Sequence, residues 1–164
     1  MDGEGLFIGH QGTIYVGQWK DDKMNGEGKE FYTDGSSYIG NFANGRKNGQ
    51  GAFYWNDGST YKGEIYDDLL SGFGTYCWKN GKTFVGFWKN NFMDGKGKLT
   101  FADETFYEGE FKDNKRNGIG KFYWNTEKYY DGEWKDGKQN GKGILFNKSK
   151  IIDGAWLNGK IVSK

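Results

Sequence analysis

A large aromatic, one residue, a glycine, one residue and a second large apolar side chain recur at Tyr15-Gly17-Trp19, Tyr38-Gly40-Phe42, Tyr61-Gly63-Ile65, Phe84-Gly86-Trp88, Tyr107-Gly109-Phe111 and Tyr130-Gly132-Trp134, always 23 residues apart. Between these blocks runs a second comb with the same step, a Gly-x-Gly pair at Gly3/Gly5, Gly26/Gly28, Gly49/Gly51, Gly72/Gly74, Gly95/Gly97, Gly118/Gly120 and Gly141/Gly143. Two interleaved combs mean one small unit copied along the chain. Such a unit buries its apolar face only against its neighbours, so the periodicity points to stacked repeats.

Composition agrees. Only 35% of the 164 residues are hydrophobic and none is proline, yet 19% are aromatic and 29 are glycine. Burial must therefore come from a few large rings set among bare backbone, and the aromatic content argues against disorder. The net charge of +1 supplies no field to draw the chain to nucleic acid. Residues 1–82 carry 8 Lys/Arg against 11 Asp/Glu and residues 83–164 carry 15 against 11, which leaves the C-terminal half mildly basic. No run of 18 apolar residues occurs, the opening Met-Asp-Gly-Glu-Gly lacks the features of a secretory signal, and Cys77 stands alone. These features predict a soluble, cytoplasmic chain.

Large and charged residues alternate in Tyr107-Glu108-Gly109-Glu110-Phe111-Lys112, the period-2 pattern of a strand with one packed face. After each Gly-x-Gly a second strand continues, as in Phe53-Tyr54-Trp55 and Phe122-Tyr123-Trp124. Polar turns such as Asn44-Gly45 and Asp136-Gly137 join the two. The expected fold class is all-β: a single-layered antiparallel sheet of tandem 23-residue hairpins, elongated into a curved gutter or rod. The expected units are one array over 1–164, with full repeats at 15–37, 38–60, 61–83, 84–106, 107–129 and 130–151 and half-repeats at 1–14 and 152–164. Fourteen strands spaced about 4.8 Å apart would span about 60 Å. Gly17, Gly40, Gly63, Gly86, Gly109 and Gly132 are expected to make room for a ring stacked from the neighbouring strand, with Trp19, Trp88 and Trp134 in the continuous core.

Tyr-x-Gly-x-Trp, Lys-Asn/Asp-Gly-Lys and Asn-Gly-x-Gly, repeated at this step, resemble the MORN (membrane occupation and recognition nexus) repeat. The likeness covers almost the whole chain. Ile65 and Ile152 depart from the pattern where aromatics are usual, and Glu30 stands where Phe53 and Phe122 stand in their units. The resemblance implies a curved sheet whose aromatic-lined groove binds partner peptides or mediates self-association in cytoskeletal, ciliary or membrane-junction assemblies.

Four candidate surfaces follow. Tyr38, Tyr61, Phe84, Tyr107 and Tyr130 form a row that a partner segment could touch if it lines a groove. Leu69, Leu70, Phe92 and Met93 stand in turns where other copies carry polar pairs, and they are the expected contact patch. Phe31, Tyr54, Cys77, Thr100, Tyr123 and Phe146 lie on the alternate face. Lys89, Lys96, Lys98, Lys112, Lys115, Arg116, Lys121, Lys138 and Lys142 could meet anionic phospholipid, although Glu108, Glu110, Asp113, Asp131 and Glu133 interrupt them.

Catalytic patterns are weak. His10 is the only histidine, and no Cys, Asp or Glu recurs around it at metal-ligand spacing. Cys77 has no base nearby in sequence. The expectation is a non-enzymatic scaffold without cofactor or metal, binding a peptide or helix of a partner protein or a second copy of itself, with peripheral membrane binding as the alternative.

Overall fold

The computed structural model describes residues 2–163, so Met1 and Lys164, the outer ends of the two expected half-repeats, lie outside the described residues. The strands are β1 (Gly3–Ile8), β2 (Ile14–Lys20), β3 (Lys23–Phe31), β4 (Ser37–Ala43), β5 (Arg46–Tyr54), β6 (Thr60–Tyr66), β7 (Leu69–Cys77), β8 (Thr83–Lys89), β9 (Phe92–Thr100), β10 (Phe106–Lys112), β11 (Lys115–Asn125), β12 (Lys128–Lys135), β13 (Lys138–Asn147), β14 (Lys150–Leu157) and β15 (Lys160–Ser163). No helix occurs among the described residues. Strand order is chain order. The expected all-β fold of tandem hairpins is the fold observed, with one strand more than expected, because β15 pairs antiparallel with β14.

The described residues divide into two compact units. One runs to Lys79 and includes Lys89–Asn91; the other holds Asn80–Trp88 and the chain from Phe92 onward.

The hairpin turns need two residues at positive φ, which asparagine, aspartate and glycine tolerate best. Asp67 and Asp68 sit at φ 52° and 67°, Asp113 and Asn114 at 47° and 66°. Each turn is then tied back to the hairpin before it. The Asp68 N–H donates to the Lys47 carbonyl (3.0 Å) while its Oδ1 accepts the Lys47 N–H (2.8 Å). Asn114 makes the same pair of bonds with Met93, at 3.0 and 2.8 Å.

The two glycines of each Gly-x-Gly serve different ends. Opposite Gln18, β3 carries Asn25-Gly26-Glu27, a bulge that Gly26 turns at φ 72°. The register across the next pair sets Gly28 against Gly17 on one side and Gly40 on the other. A Cβ on Gly17 would lie 2.5 Å from the Gly28 Cα, and one on Gly28 would lie 2.6 Å from Cε2 of Tyr15. At Gly17 the nearest obstacle is thus the facing backbone, and the ring beside it is that of Tyr15, two residues earlier on its own strand and not one from the neighbouring strand as expected; the same Tyr15 ring blocks Gly28 from across the pair. The bulge leaves the Gln18 carbonyl to accept the Tyr15 hydroxyl at 2.8 Å, and the Gln18 side chain accepts the Glu27 N–H at 3.0 Å. Tyr38 donates likewise to Asn41 (3.0 Å), Tyr61 to Glu64 (2.7 Å), Tyr107 to Glu110 (2.9 Å) and Tyr130 to Glu133 (3.2 Å). A tyrosine therefore does what phenylalanine cannot: it fills the core and satisfies a backbone acceptor freed by the bulge.

The buried rings meet edge to face. In the first unit Tyr15 lies 5.3 Å from Trp19 and 5.0 Å from Phe42. In the second, Tyr107 lies 5.0 Å from Phe111 and 5.2 Å from Trp134. Each such pair adds about 0.5–1.5 kcal/mol beyond the area it buries.

Candidate functional site

Tyr38, Tyr61, Phe84, Tyr107 and Tyr130 are each 0% exposed. They offer no surface to a partner, which corrects the expectation that they line a groove. Burial raises the Tyr38, Tyr61 and Tyr107 hydroxyls and pushes Tyr130 up to about 12. All remain neutral donors at ordinary pH.

The expected apolar patch splits by strand alternation. Residues that open the strand after each turn, such as Leu69 and Phe92, are exposed, whereas the next residues, Leu70 and Met93, are buried. Leu70 and Met93 are therefore core, a second correction. They belong to an inward slot repeated every 23 residues, held by Met24, Lys47, Leu70, Met93, Arg116 and Gln139.

Two of these slots hold cations over rings. In the first unit Lys47 Nζ lies 5.3 Å from the Tyr38 ring, 5.7 Å from Phe42 and 5.6 Å from Tyr32, and it pairs with Glu30 at 2.5 Å. Both side chains are mostly buried. The Tyr32 hydroxyl donates to the same Glu30 oxygen, at 2.5 Å, and burial with this bond lifts its ionisation far above the usual tyrosine range. In the second unit the Arg116 guanidinium lies 4.5 Å from the Trp134 ring and 5.3 Å from Phe122, and it donates to the Gly137 carbonyl at 2.7 Å. Lys47 and Arg116 are surface residues by type, and the sequence signal for their inward place is the 23-residue frame they share with Leu70 and Met93.

Glu30 has a further consequence. Its frame position is filled elsewhere by Phe53, Tyr76, Leu99, Phe122 and Leu145. Phe53 packs against Tyr38 with ring centres 4.8 Å apart. Glu30 carries no ring, and beside it the first unit has a hollow of about 560 Å³ lined by Phe7, Thr13, Tyr15, Trp19, Asp22, Lys23, Met24, Glu30, Tyr32 and Gly45.

The opposite face differs between the units. In the first, a furrow of about 720 Å³ runs over Gly17, Gly28, Gly40, Gly51 and Gly63, with Val16, Ile39 and Ala52 among its walls. In the second, the outer row closes on itself: Phe106 stacks on Tyr123 at 4.4 Å and Tyr129 on Phe146 at 5.1 Å. Lys98 sits 4.1 Å over the Phe106 ring, and Lys121 sits 4.6 Å over Tyr129 and 3.0 Å from Asp131. Lys115 pairs with Asp136 at 3.5 Å. Several side chains expected to form a lipid-facing basic surface are thus engaged by rings or acids of their own unit. No cluster of three His, Cys, Asp or Glu able to hold a metal occurs among the described residues.

Bulged two-stranded modules, copied in register around buried rings, define a tandem β-hairpin repeat protein. The MORN repeat model matches residues 15–37, 38–60, 61–83, 84–106, 107–127 and 130–148, and the chain belongs to the MORN-repeat family. No curated protein matches it. Among solved structures it is similar to the SAS-4 (dCPAP) TCP domain of Drosophila melanogaster in complex with a proline-rich motif of Ana2 (dSTIL), with a TM-score of 0.52 and 12% identity over 93% of this chain and 90% of that one. At that identity the likeness is one of fold.

Proposed function

We propose that the chain is a cytoplasmic, non-enzymatic scaffold that holds a segment of a partner protein, or of a second copy, on its ring-bearing face within a cytoskeletal or ciliary assembly. The observation that carries this reading is the 560 Å³ hollow, beside the frame position where Glu30 stands in place of a ring or leucine. Recognition sites for peptides are typically concave and mostly apolar with a few placed polar groups, and rings beside Glu30 and Thr13 meet that description. Two comparisons support it. The MORN repeat is a non-catalytic module, and the SAS-4 domain of like fold is solved with a bound motif from another protein.

A photo-crosslinking phenylalanine analogue at Thr13, in the full chain, tests the site in extract of the native cell. A discrete protein adduct at Thr13, absent when the analogue replaces Ile39 in the outer furrow, is the expected result. Adducts at Ile39 and none at Thr13 would move the partner to the other face.

A further inference from the structure

Resting on that reading of the hollow, we infer that it takes one basic side chain of the partner segment, arginine in preference to lysine. The shape argument comes from the chain itself. Where other copies place a flat ring against the core tyrosine, as Phe53 does at Tyr38, the copy around Tyr15 has the shorter Glu30 and space. A planar guanidinium is the cationic group whose form matches a missing ring, since it stacks on aromatic faces and offers paired N–H donors to a carboxylate.

The chain also shows that such a site works. Lys47, one slot along, is already held among Tyr32, Tyr38 and Phe42 with Glu30 beside it. Both the Lys47 ammonium and the Tyr32 hydroxyl engage Oε2 of Glu30, while a carboxylate can accept about four hydrogen bonds.

Charge selects the sign of the occupant. Glu30 and Asp22 line the hollow, and Asp68 stands 3.9 Å from Lys47, against Lys23 and Lys47 as the cations. The neighbouring hydroxyls register the acids: beyond burial, Tyr15 is raised by Glu4 and Glu30, and Tyr32 by Glu30 and Asp68. In the second unit Arg116 opposes the rise at Tyr107, to which Glu110 adds.

Trp19 gives the hollow a reporter. Trp134 and Trp156 donate their indole N–H to the Gly120 and Gly143 carbonyls, at 2.9 and 3.3 Å, whereas Trp19, which lines the hollow, has its indole N–H buried without an acceptor.

The test is an array of random dodecapeptides probed with the full chain, followed by titration of the strongest binder while the Trp19 indole resonance is observed. The expected result is binders sharing one arginine or lysine, a shifted Trp19 indole, and at least tenfold weaker binding when that arginine becomes citrulline or when the protein carries Glu30→Gln. Glu30→Phe with Lys47→Leu, which restores the residues of the neighbouring copies, should abolish binding while the protein stays folded. Peptides that shift Trp19 without a basic residue, or that lose less than twofold on the citrulline exchange, would overturn the inference and leave the partner site standing. An array with no peptide that shifts Trp19 would overturn both.

Discussion

The two compact units are built from one backbone recipe and filled differently. Both have bulged hairpins, glycine set against glycine, and tyrosine hydroxyls on bulge carbonyls. The units part ways at the inward positions. The first pairs a cation with an acid, Lys47 with Glu30, and leaves a hollow beside Tyr15. The second completes its row with Leu99, Phe122 and Leu145 and holds Arg116 by rings and a carbonyl. The repeat thus dictates the frame, while individuality resides in a few inward side chains, and that is where a binding specificity can be written without disturbing the sheet.

If the frame is common, its most crowded point must be equally intolerant in both units. A Cβ on Gly40 would lie 2.5 Å from the Gly51 Cα, and one on Gly132 would lie 2.5 Å from the Gly143 Cα. Backbone cannot rotate away as a side chain can, so Gly40→Ala and Gly132→Ala should each cost about 3 kcal/mol or more in denaturant unfolding. Gly45→Ala, with nothing within 4 Å of the added carbon but φ at 84°, should cost about 1 kcal/mol. A harmless Gly132→Ala would break the equivalence of the units.

Strand alternation supplies the next contrast. Met93 is 6% exposed and Phe92 46%. Met93→Ser should therefore cost about 3 kcal/mol, as other deletions of buried apolar side chains do, while Phe92→Ser should stay within about 0.5 kcal/mol. Equal losses would mean that Phe92 also packs into the fold.

The cation slots should then separate the units. Lys47→Met leaves the mostly buried Glu30 without its ammonium and should cost about 2 kcal/mol, less than a fully buried pair because both groups keep some solvent. Arg116→Met, which copies the side chain of Met93 into a slot where the cation is held by a carbonyl and rings, should cost no more than about 1 kcal/mol. The difference sharpens with Lys47→Met/Glu30→Phe. Removing both charges should recover most of the loss, giving a coupling of about 1–2 kcal/mol in a double-mutant cycle.

How far the sequence carried this picture follows from what a period can encode. The 23-residue combs place every hairpin, because alternation and turn chemistry act locally. Period also marks Gly17 and Gly28 as necessary, but it does not say which ring demands them; that depends on Tyr15 lying over both across the β2–β3 pair. Lys47 and Arg116 read as surface residues by type and become core residues by position, since the slot they share with Leu70 and Met93 faces inward. Glu30 departs from the repeat in the sequence itself. That it leaves a hollow with a charged edge depends on the volumes around it, and no spacing rule contains volumes.

The smallest effect concerns the hydroxyl that separates Phe84 from its five counterparts. Tyr130→Phe removes one hydrogen bond to the Glu133 carbonyl and should cost about 1 kcal/mol. The frame places the Phe87 carbonyl equivalently to that of Glu133, so Phe84→Tyr should gain a similar fraction of that amount. Alkaline titration gives the same contrast a second readout. Folding raises the Tyr130 hydroxyl from 10.0 to about 12, so the fold favours the neutral form. Its contribution is complete below pH 10 and is lost as pH rises from about 10 through about 12, because the unfolded chain releases that proton first. Tyr38, Tyr61 and Tyr107 are raised in the same direction. Stability followed by denaturant unfolding should be level up to about pH 10 and fall above it, less steeply in Tyr130→Phe and more steeply in Phe84→Tyr. A Phe84→Tyr variant whose alkaline slope matches that of the parent would mean that the new hydroxyl has not entered the buried row, and the copy around Phe84 would then differ from the other five in its backbone as well as in its ring.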